Sequence, residues 1–267
     1  MQGPKYTNNK YKGIRPMKIT FLGVSSGLTA ENEKFHSNML LEGGISGRML
    51  IDCGSDIRHS MHGQGYSHAA IDSAYISHLH ADHVGGLEWL AFSKFFLDNK
   101  KLALYISPDQ RDRLWNNVLS GGMSTIENTA ANLETFFDVM PIDNLSFTWE
   151  KYTFKLIKSY HTISNSNLFP SYGLLIYGDT KKIFITTDSR FCPEKFLPIY
   201  NEADIIFQDC ETSEWSSKQH AHYNDLKTLD PGIKEKMWLY HYNDGPLPDA
   251  KLDGFQGFVK IGQSFDF

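Results

Sequence analysis

Residues 78–83 read His-Leu-His-Ala-Asp-His, and this stretch is the most informative one for the fold of the chain. Four of the six are residue types that bind metal ions, and the stretch follows an apolar run and precedes a Gly-Gly pair. Alternate side chains of an extended backbone point the same way, so His78 and His80 can bind one cation. The chain then turns, and Asp82 and His83 can face a second position beside it. A lone histidine in a core is usually structural, but this density of ligands indicates a site for two metal ions.

Three distant residues have the same setting as His78. His161, Asp188 and His241 each follow a run rich in β-branched and aromatic residues, which predicts a strand. If the carboxyl ends of these strands share one edge of the fold, as ligand sites in sheet proteins often do, the four side chains converge there. The sequence therefore predicts one metal centre assembled from distant segments.

The rest of the chain indicates a strand-rich α/β fold. Twelve runs predict strands, from Lys18–Val24 to Gly257–Ile261, and helical periodicity predicts helices over Val84–Asn99, Asp109–Leu119 and Glu194–Tyr200. Such a pattern favours two sheets packed face to face and covered by helices outside.

Length and composition indicate one globular domain. The chain has 267 residues, of which 41% are hydrophobic and 21% charged, so disordered, collagen-like and coiled-coil classes are excluded. We predict a single domain over residues 17–267. Residues 1–16 are polar and basic, and we predict a flexible extension there; the alternative is an arm that contacts a neighbouring subunit.

Charge and cysteine content limit the partners. The chain has 31 acidic and 26 basic residues and a net charge of −5, so it lacks the positive surface of a protein that holds many phosphates, and we expect no stable nucleic-acid complex.

No apolar stretch is long enough to span a membrane, and no signal sequence follows the basic start. Three scattered cysteines, Cys53, Cys192 and Cys210, indicate neither disulfides nor a cysteine zinc site and fit a reducing cytoplasm.

The motif at residues 78–83 resembles the signature His-x-His-x-Asp-His of the metallo-β-lactamase-fold hydrolases, and Asp52 to Gly54 resembles an early strand end of that family. The resemblance runs from Met17 to the end of the chain. It implies a four-layer αββα sandwich in a single domain. It also assigns seven metal ligands: His78, His80 and His161 for a first ion, Asp82, His83 and His241 for a second, and Asp188 shared by both.

The ligand types favour hydrolysis with two Zn²⁺ ions. Redox members of this fold have Glu at the position of His80, and drug-hydrolysing members typically have Cys at the position of Asp188. Imidazole and carboxylate ligands suit zinc, although manganese or iron could occupy the same positions. Two metal ions ~3.5–4 Å apart activate water and stabilise an in-line displacement at phosphorus.

Residues 203–223 resemble the phosphodiesterase branch that includes tRNase Z. There an acidic residue and a histidine together protonate the leaving oxygen, and Asp209 and His220 align with them, His220 better than His222. The resemblance thus implies catalytic roles for a set of four residues: Asp82, Asp209, His220 and His222. The competing interpretation is that His220 and His222 are merely solvated and that Asp209 is a cap.

Two features favour a small substrate. His161 and Asp188 are only 27 positions apart in the sequence, which leaves no room for the RNA-binding arm that tRNase Z enzymes usually carry there. The segments 226–229, 236–242 and 257–260 resemble cyclic-nucleotide phosphodiesterases of the phage anti-Pycsar type. The resemblance implies hydrolysis of 3′,5′-cyclic mononucleotides to 5′-mononucleotides in a homodimer, for signal termination or immune evasion.

Three other functions share much of this evidence. A tRNA 3′-processing or other RNA nuclease would keep the fold and the ligands. A glyoxalase II-like thioester or lactone hydrolase would share every metal ligand and differ at Asp209 and His220. A catalytically silent sensor would keep the fold, but known silent relatives have usually lost metal ligands, and here all seven are present.

Overall fold

The computed structural model describes residues 15–31, 34–45, 47–164 and 167–267. Within these ranges the chain forms sixteen strands: β1 (Arg15–Phe21), β2 (Met39–Gly44), β3 (Gly47–Ile51), β4 (Ser73–Ile76), β5 (Leu102–Ile106), β6 (Thr125–Ile126), β7 (Thr129–Ala130), β8 (Phe137–Met140), β9 (Ser146–Trp149), β10 (Tyr152–Ser164), β11 (Asn167–Tyr177), β12 (Lys182–Ile185), β13 (Ile205–Asp209), β14 (Met237–Tyr240), β15 (Gly257–Phe258) and β16 (Ser264–Asp266). The same ranges contain nine α-helices: α1 (Ile57–Gly63), α2 (Ala81–Val84), α3 (Leu87–Phe92), α4 (Pro108–Leu114), α5 (Ser120–Met123), α6 (Leu133–Phe136), α7 (Pro193–Glu202), α8 (Tyr223–Leu226) and α9 (Pro231–Lys234).

Two seven-stranded sheets form the centre of the molecule. Their strand orders are β16-β1-β2-β3-β4-β5-β8 and β15-β14-β13-β12-β11-β10-β9. Each sheet is antiparallel in one half and parallel in the other, with β3, β4, β5 and β8 parallel in the first and β12 to β15 parallel in the second. Inner parallel strands are covered on both faces, and β4 is accordingly buried along its whole length.

Three apolar layers separate the sheets and helices. The first layer lies between the two sheets and contains side chains from both, such as Phe21 and Phe207, whose ring centroids are 5.0 Å apart. A second layer joins the first sheet to α1, α3 and α4, and a third joins the other sheet to α7, α8 and α9. The arrangement is helix, sheet, sheet, helix, which confirms the predicted four-layer αββα fold.

The prediction that a strand ends at His161 is wrong. β10 continues to Ser164, and its register with β11 shifts between Tyr160 and Thr162, so His161 lies at a bulge inside a long hairpin. A bulge re-aims a side chain while pairing continues on both sides, which the apolar pattern of the sequence does not reveal.

The predicted helix over Val84–Asn99 is divided. α2 and α3 are separated by two glycines, because the chain passes so close to the loop after β3 that a Cβ on Gly86 would lie 2.4 Å from the carbonyl oxygen of Gly54. The last part, Ser93–Leu97, is a π-helical turn. Several short elements were not predicted, among them α1, β8 and β16. Pairing with a neighbouring strand, rather than local sequence, specifies β8 and β16.

The predicted domain boundary falls inside β1, which begins at Arg15 and pairs with β2. Residues 1–14, which make up most of the predicted flexible extension, lie outside the described residues.

Candidate metal centre

The carboxyl ends of the parallel strands bring the predicted ligands together. His78 follows β4 by two residues, Asp188 follows β12 by three and His241 directly follows β14, while His161 reaches the same edge from its bulge in β10. All but His80 and Asp82 are at most 2% exposed. Both sheets therefore contribute to one centre at their shared edge.

Left-handed backbone directs two of these ligands. Thr187 has φ 50° and His241 has φ 63°, and such values are unusual for a β-branched residue such as Thr187. The hydroxyl of Thr187 donates to the carbonyl of Thr186, and the hydroxyl of Thr186 donates to the carbonyl of Thr187. This pair of hydrogen bonds stabilises the turn that points Asp188 into the centre.

The first predicted ligand set forms a compact group. Nδ1 of His80 lies 3.1 Å from Nε2 of His78 and 3.0 Å from Nε2 of His161. Oδ2 of Asp188 lies 3.6 Å from Nε2 of His78 and 3.7 Å from Nε2 of His161. His80 thus presents its Nδ1 atom, and the other two histidines present Nε2.

The second set shares Asp188. Nε2 of His83 lies 3.1 Å from Oδ2 of Asp82 and 3.2 Å from Oδ2 of Asp188. Nε2 of His241 lies 3.6 Å from Oδ2 of Asp82 and 3.4 Å from Oδ1 of Asp188. Asp188 is the common member of both groups.

The geometry of both sets fits a metal ion. Ligand atoms bound tetrahedrally to Zn²⁺ at ~2.0–2.1 Å lie roughly 3.3 Å from one another, which is close to the separations found here. Nε2 of His83, Nε2 of His241 and Oδ1 of Asp188 are buried and have no hydrogen-bond partner within the described ranges. Buried polar atoms rarely remain unpaired, and a cation would satisfy all three.

Electrostatics supports the same conclusion. Burial lowers the pKa of His78 and of His161, to about 4 for His161, so these imidazoles are neutral as metal ligands must be. Burial also opposes a charge on His83 and His241, but the surrounding carboxylates, with Asp188 the strongest, together outweigh it and raise the pKa of both imidazoles. The carboxylates thus bring negative charge that a divalent cation would balance.

Further hydrogen bonds orient the ligands. Nδ1 of His83 donates to Oδ2 of Asp52 at 2.7 Å, and the Ser77 hydroxyl, which faces Nδ1 of His78 at 3.0 Å, donates to the same carboxylate. Nδ1 of His161 donates to the carbonyl oxygen of Gln219. Asp52 therefore supports one ligand of each set, a role that the sequence indicates only through a family motif.

Asp209 and His220 form the predicted pair. Nδ1 of His220 donates to Oδ2 of Asp209 at 2.8 Å, and the ring lies against His161 and His241 with centroids 4.8 Å away. Burial lowers the pKa of His220, but the Asp209 carboxylate outweighs it and raises the pKa above the usual value. The raised pKa keeps the His220 imidazole protonated to a higher pH, which suits a proton donor.

His222 has a different setting. Its Nδ1 accepts a hydrogen bond from the backbone N–H of Asn224 at the start of α8, and its Nε2 donates to the carbonyl of Ser213. Both ring nitrogens are occupied, and the side chain does not line the cavity at the centre. The structure therefore places His220 at the centre and gives His222 the position of a helix cap.

A cavity of about 440 Å³ opens over the centre. Its walls contain residues that were not predicted from the sequence: Ser26, Gly27, Leu28, His36, Ser55, Glu211, Ser217, Gln219 and Asn243. They lie on loops after β1, β3, β13 and β14. Glu211, Ser217 and Gln219 fall within the segment 203–223 that resembles a phosphodiesterase, but the resemblance assigns them no role. Within the described residues no helix is long and apolar enough to cross a membrane.

A cluster of buried histidines and aspartates that could hold metal ions, beneath an open cavity, is typical of a metal-dependent hydrolase. In solved structures the fold is found in the metallo-β-lactamase fold protein YhfI from Bacillus subtilis, which matches with a TM-score of 0.73 and 20% identity over 94% of this chain and 99% of that one.

Sequence relatives identify the family. The family model described as Anti-Pycsar protein Apyc1 matches residues 17–265. An Anti-Pycsar protein Apyc1 from Paenibacillus harenae is 34% identical over 90% of this chain and 93% of its own length. A protein of that name from Bacillus phage vB_BveM-Goe7 is 29% identical over 92% and 96%. The chain therefore belongs to the Anti-Pycsar protein Apyc1 family.

Proposed function

We propose that this protein is a phosphodiesterase that hydrolyses 3′,5′-cyclic mononucleotides to 5′-mononucleotides and so removes a cyclic-nucleotide immune signal. The observation that carries the proposal is the Asp209–His220 pair beside a complete double ligand set, in a chain of a family named anti-Pycsar. The ligands alone would serve any hydrolase of this fold. A proton donor is needed when the leaving group is a sugar oxygen, which is a poor leaving group unless protonated.

The chemistry of the ligands favours two Zn²⁺ ions per chain, and Mn²⁺ or iron would suit the same donors. His78, His80 and His161 would hold one ion, Asp82, His83 and His241 the other, and Asp188 would contact both. When bound, the two ions supply an activated water and neutralise charge on the phosphate oxygens.

His220 would act on the leaving group. With Nδ1 bonded to Asp209, its Nε2 is the nitrogen left to face the cavity and to donate a proton to the departing 3′-oxygen. Asp209 holds the imidazole in this tautomer and favours its charged form. In the proposed mechanism Asp82 is a metal ligand. His222 has a structural role, because its side chain caps α8 by accepting a hydrogen bond from the backbone N–H of Asn224.

The cavity favours a small substrate. Its volume of about 440 Å³ lies in the ~300–1,000 Å³ range of small-molecule sites. Between His161 and Asp188 the described chain consists of the hairpin of β10 and β11 and the strand β12, a short connection rather than a separate RNA-binding domain. We accordingly propose that the protein forms no stable nucleic-acid complex.

A homodimer in the cytoplasm completes the proposal. Leu28 is 97% exposed at the rim of the cavity, and a second subunit that covers it would also enclose the substrate. Cys53, Cys192 and Cys210 are buried free thiols, which suits a reducing compartment. Light scattering of purified protein tests the dimer.

The decisive experiment is an assay of zinc- or manganese-loaded protein against 3′,5′-cyclic mononucleotides, bis(p-nitrophenyl) phosphate, precursor tRNA and a thioester. We expect hydrolysis of at least one cyclic mononucleotide to a 5′-mononucleotide at a higher kcat/KM than any other substrate. Faster cleavage of precursor tRNA would establish the nuclease alternative, and faster thioester cleavage the glyoxalase II-like one. Absence of all turnover would favour a silent sensor.

A further inference from the structure

A buried carboxylate closes the loop that carries His220. The loop runs from the end of β13 to α8, and side chains in its middle are exposed, including Glu214 and Trp215. Glu211, near the start of the loop, is only 6% exposed and lies in the wall of the cavity. Burying a carboxylate beside a site for an anionic phosphate costs free energy unless hydrogen bonds or opposite charges stabilise it.

Hydrogen bonds from its own loop saturate the Glu211 carboxylate. Oε1 accepts from the Ser213 hydroxyl at 2.9 Å and from the backbone N–H of Ser217 at 3.1 Å. Oε2 accepts from the same N–H at 2.9 Å and from the Ser217 hydroxyl at 3.1 Å. The carboxylate therefore joins the beginning of the loop to its middle.

The backbone of Glu211 joins the beginning of the loop to its end. Its N–H donates to the carbonyl of Ala221, and its carbonyl accepts from the N–H of Tyr223, both at 2.9 Å. These bonds flank His220 on the C-terminal side. The side-chain bonds approach it from the other side, because the hydroxyl of Ser217 accepts from the N–H of Gln219 at 3.1 Å.

The chain of contacts ends at two residues of the centre. Gln219 accepts from Nδ1 of His161 through its carbonyl oxygen, and the next residue is His220. Loss of the contact between Glu211 and Ser217 would release the backbone of Gln219 and so loosen the segment that places His220. Because charge-assisted hydrogen bonds are stronger than neutral ones, a neutral side chain at position 211 would hold the loop less firmly.

We infer that Glu211 is a positioning residue that fixes the loop so that His220 can protonate the leaving oxygen; this inference rests on the proposed function. Its carboxylate oxygens are occupied by the loop, so the residue acts through His220 and not by contact with substrate. The effect of its replacement should depend on how much the substrate needs a proton.

The test compares Glu211→Gln with Glu214→Gln, a change of the same chemistry at an exposed position of the same loop. The substrates are aryl phosphodiesters of graded leaving-group pKa, from bis(p-nitrophenyl) to diphenyl phosphate, together with cyclic mononucleotides. We expect Glu211→Gln to lower kcat about tenfold for the poorest leaving groups and to leave p-nitrophenolate release nearly unchanged, with little change in KM. Glu214→Gln should behave as the wild type on every substrate.

A double mutant distinguishes positioning from a general weakening of the fold. In a His220→Ala background, Glu211→Gln should cause no further loss, because the interaction it supports is already gone. Additive losses, an equal loss for all leaving groups, or an effect on KM alone would overturn the inference. If Glu211→Gln does not fold, Ser217→Ala removes the two hydrogen bonds of that hydroxyl, one to Glu211 and one from the N–H of Gln219, and should show the same dependence on leaving group to a smaller degree.

The outcome is separate from that of the proposed function. Wild-type protein that hydrolyses aryl diesters but no cyclic mononucleotide would contradict the proposed substrate, and the aryl series would still test Glu211.

Discussion

Oδ1 of Asp209 lies 3.3 Å from Nδ1 of His241, while the other oxygen of the same carboxylate accepts from His220. One buried side chain thus contacts both His241, a proposed ligand of the second metal ion, and His220, the proposed proton donor. Metal binding and proton donation are consequently coupled, and a change at Asp209 should affect both.

Replacement of Asp209 by Asn should shift the pH dependence of turnover. A proton donor is active while protonated, so kcat for a poor leaving group falls as the pH rises through the pKa of His220, which Asp209 raises. An amide at position 209 would lack the charge, and the fall should occur at lower pH. The measurement is the pH–rate profile of Asp209→Asn beside the wild type.

His220→Ala supplies the control for that profile, because it should remove the basic limb that is assigned to this imidazole. An unchanged limb in either variant would show that another group is the proton donor.

Replacement of Asp52 by Asn should weaken metal binding. Asp52 accepts from His83 and, through Ser77, supports His78, so it orients ligands of both positions. Loss of such a partner typically lowers metal affinity about 10–100-fold. Chelator competition should detect this loss, whereas Asp138→Asn, at an exposed position, should leave the affinity unchanged. Equal affinities for both variants would refute the orienting role.

Replacement of Gly27 by Ala should displace Asp82. A Cβ at Gly27 would lie 2.6 Å from Oδ2 of Asp82, the atom that faces His83 and His241, and Asp82 cannot withdraw without leaving the second position. A misplacement near 1 Å in a reacting centre can cost ~10²-fold in rate. We expect a loss of this order together with weaker binding of the second metal.

The matched control is Gly121→Ala, since a Cβ there meets nothing within 4 Å. Full activity of Gly27→Ala would mean that Asp82 is dispensable as a ligand.

Much of this centre could be predicted because its ligands are concentrated in a short motif. His78 to His83 carried the family resemblance, and Asp188 and His241 followed from strand-like runs that end at the same edge of the sheets. Asp209 and His220 were predicted by resemblance, and the structure brings them within hydrogen-bond distance.

The remainder depends on tertiary contacts. His161 sits at a bulge that is defined by pairing with β11, and no local pattern marks a bulge. Glu211 and Asn243 acquire their positions from loops whose contacts are visible only in three dimensions. The choice between His220 and His222 likewise required the hydrogen bonds of both rings.

The proposed mechanism requires two metal ions that bind side by side and share Asp188. The most direct measurement is elemental analysis of active, desalted protein, with Asp188→Ala as the comparison and circular dichroism to show that the variant is folded. We predict two divalent ions per wild-type chain, loss of bound metal and of turnover in Asp188→Ala, and unchanged secondary structure. A fully active wild type with one ion per chain, or an Asp188→Ala variant that keeps two ions and its turnover, would contradict the account.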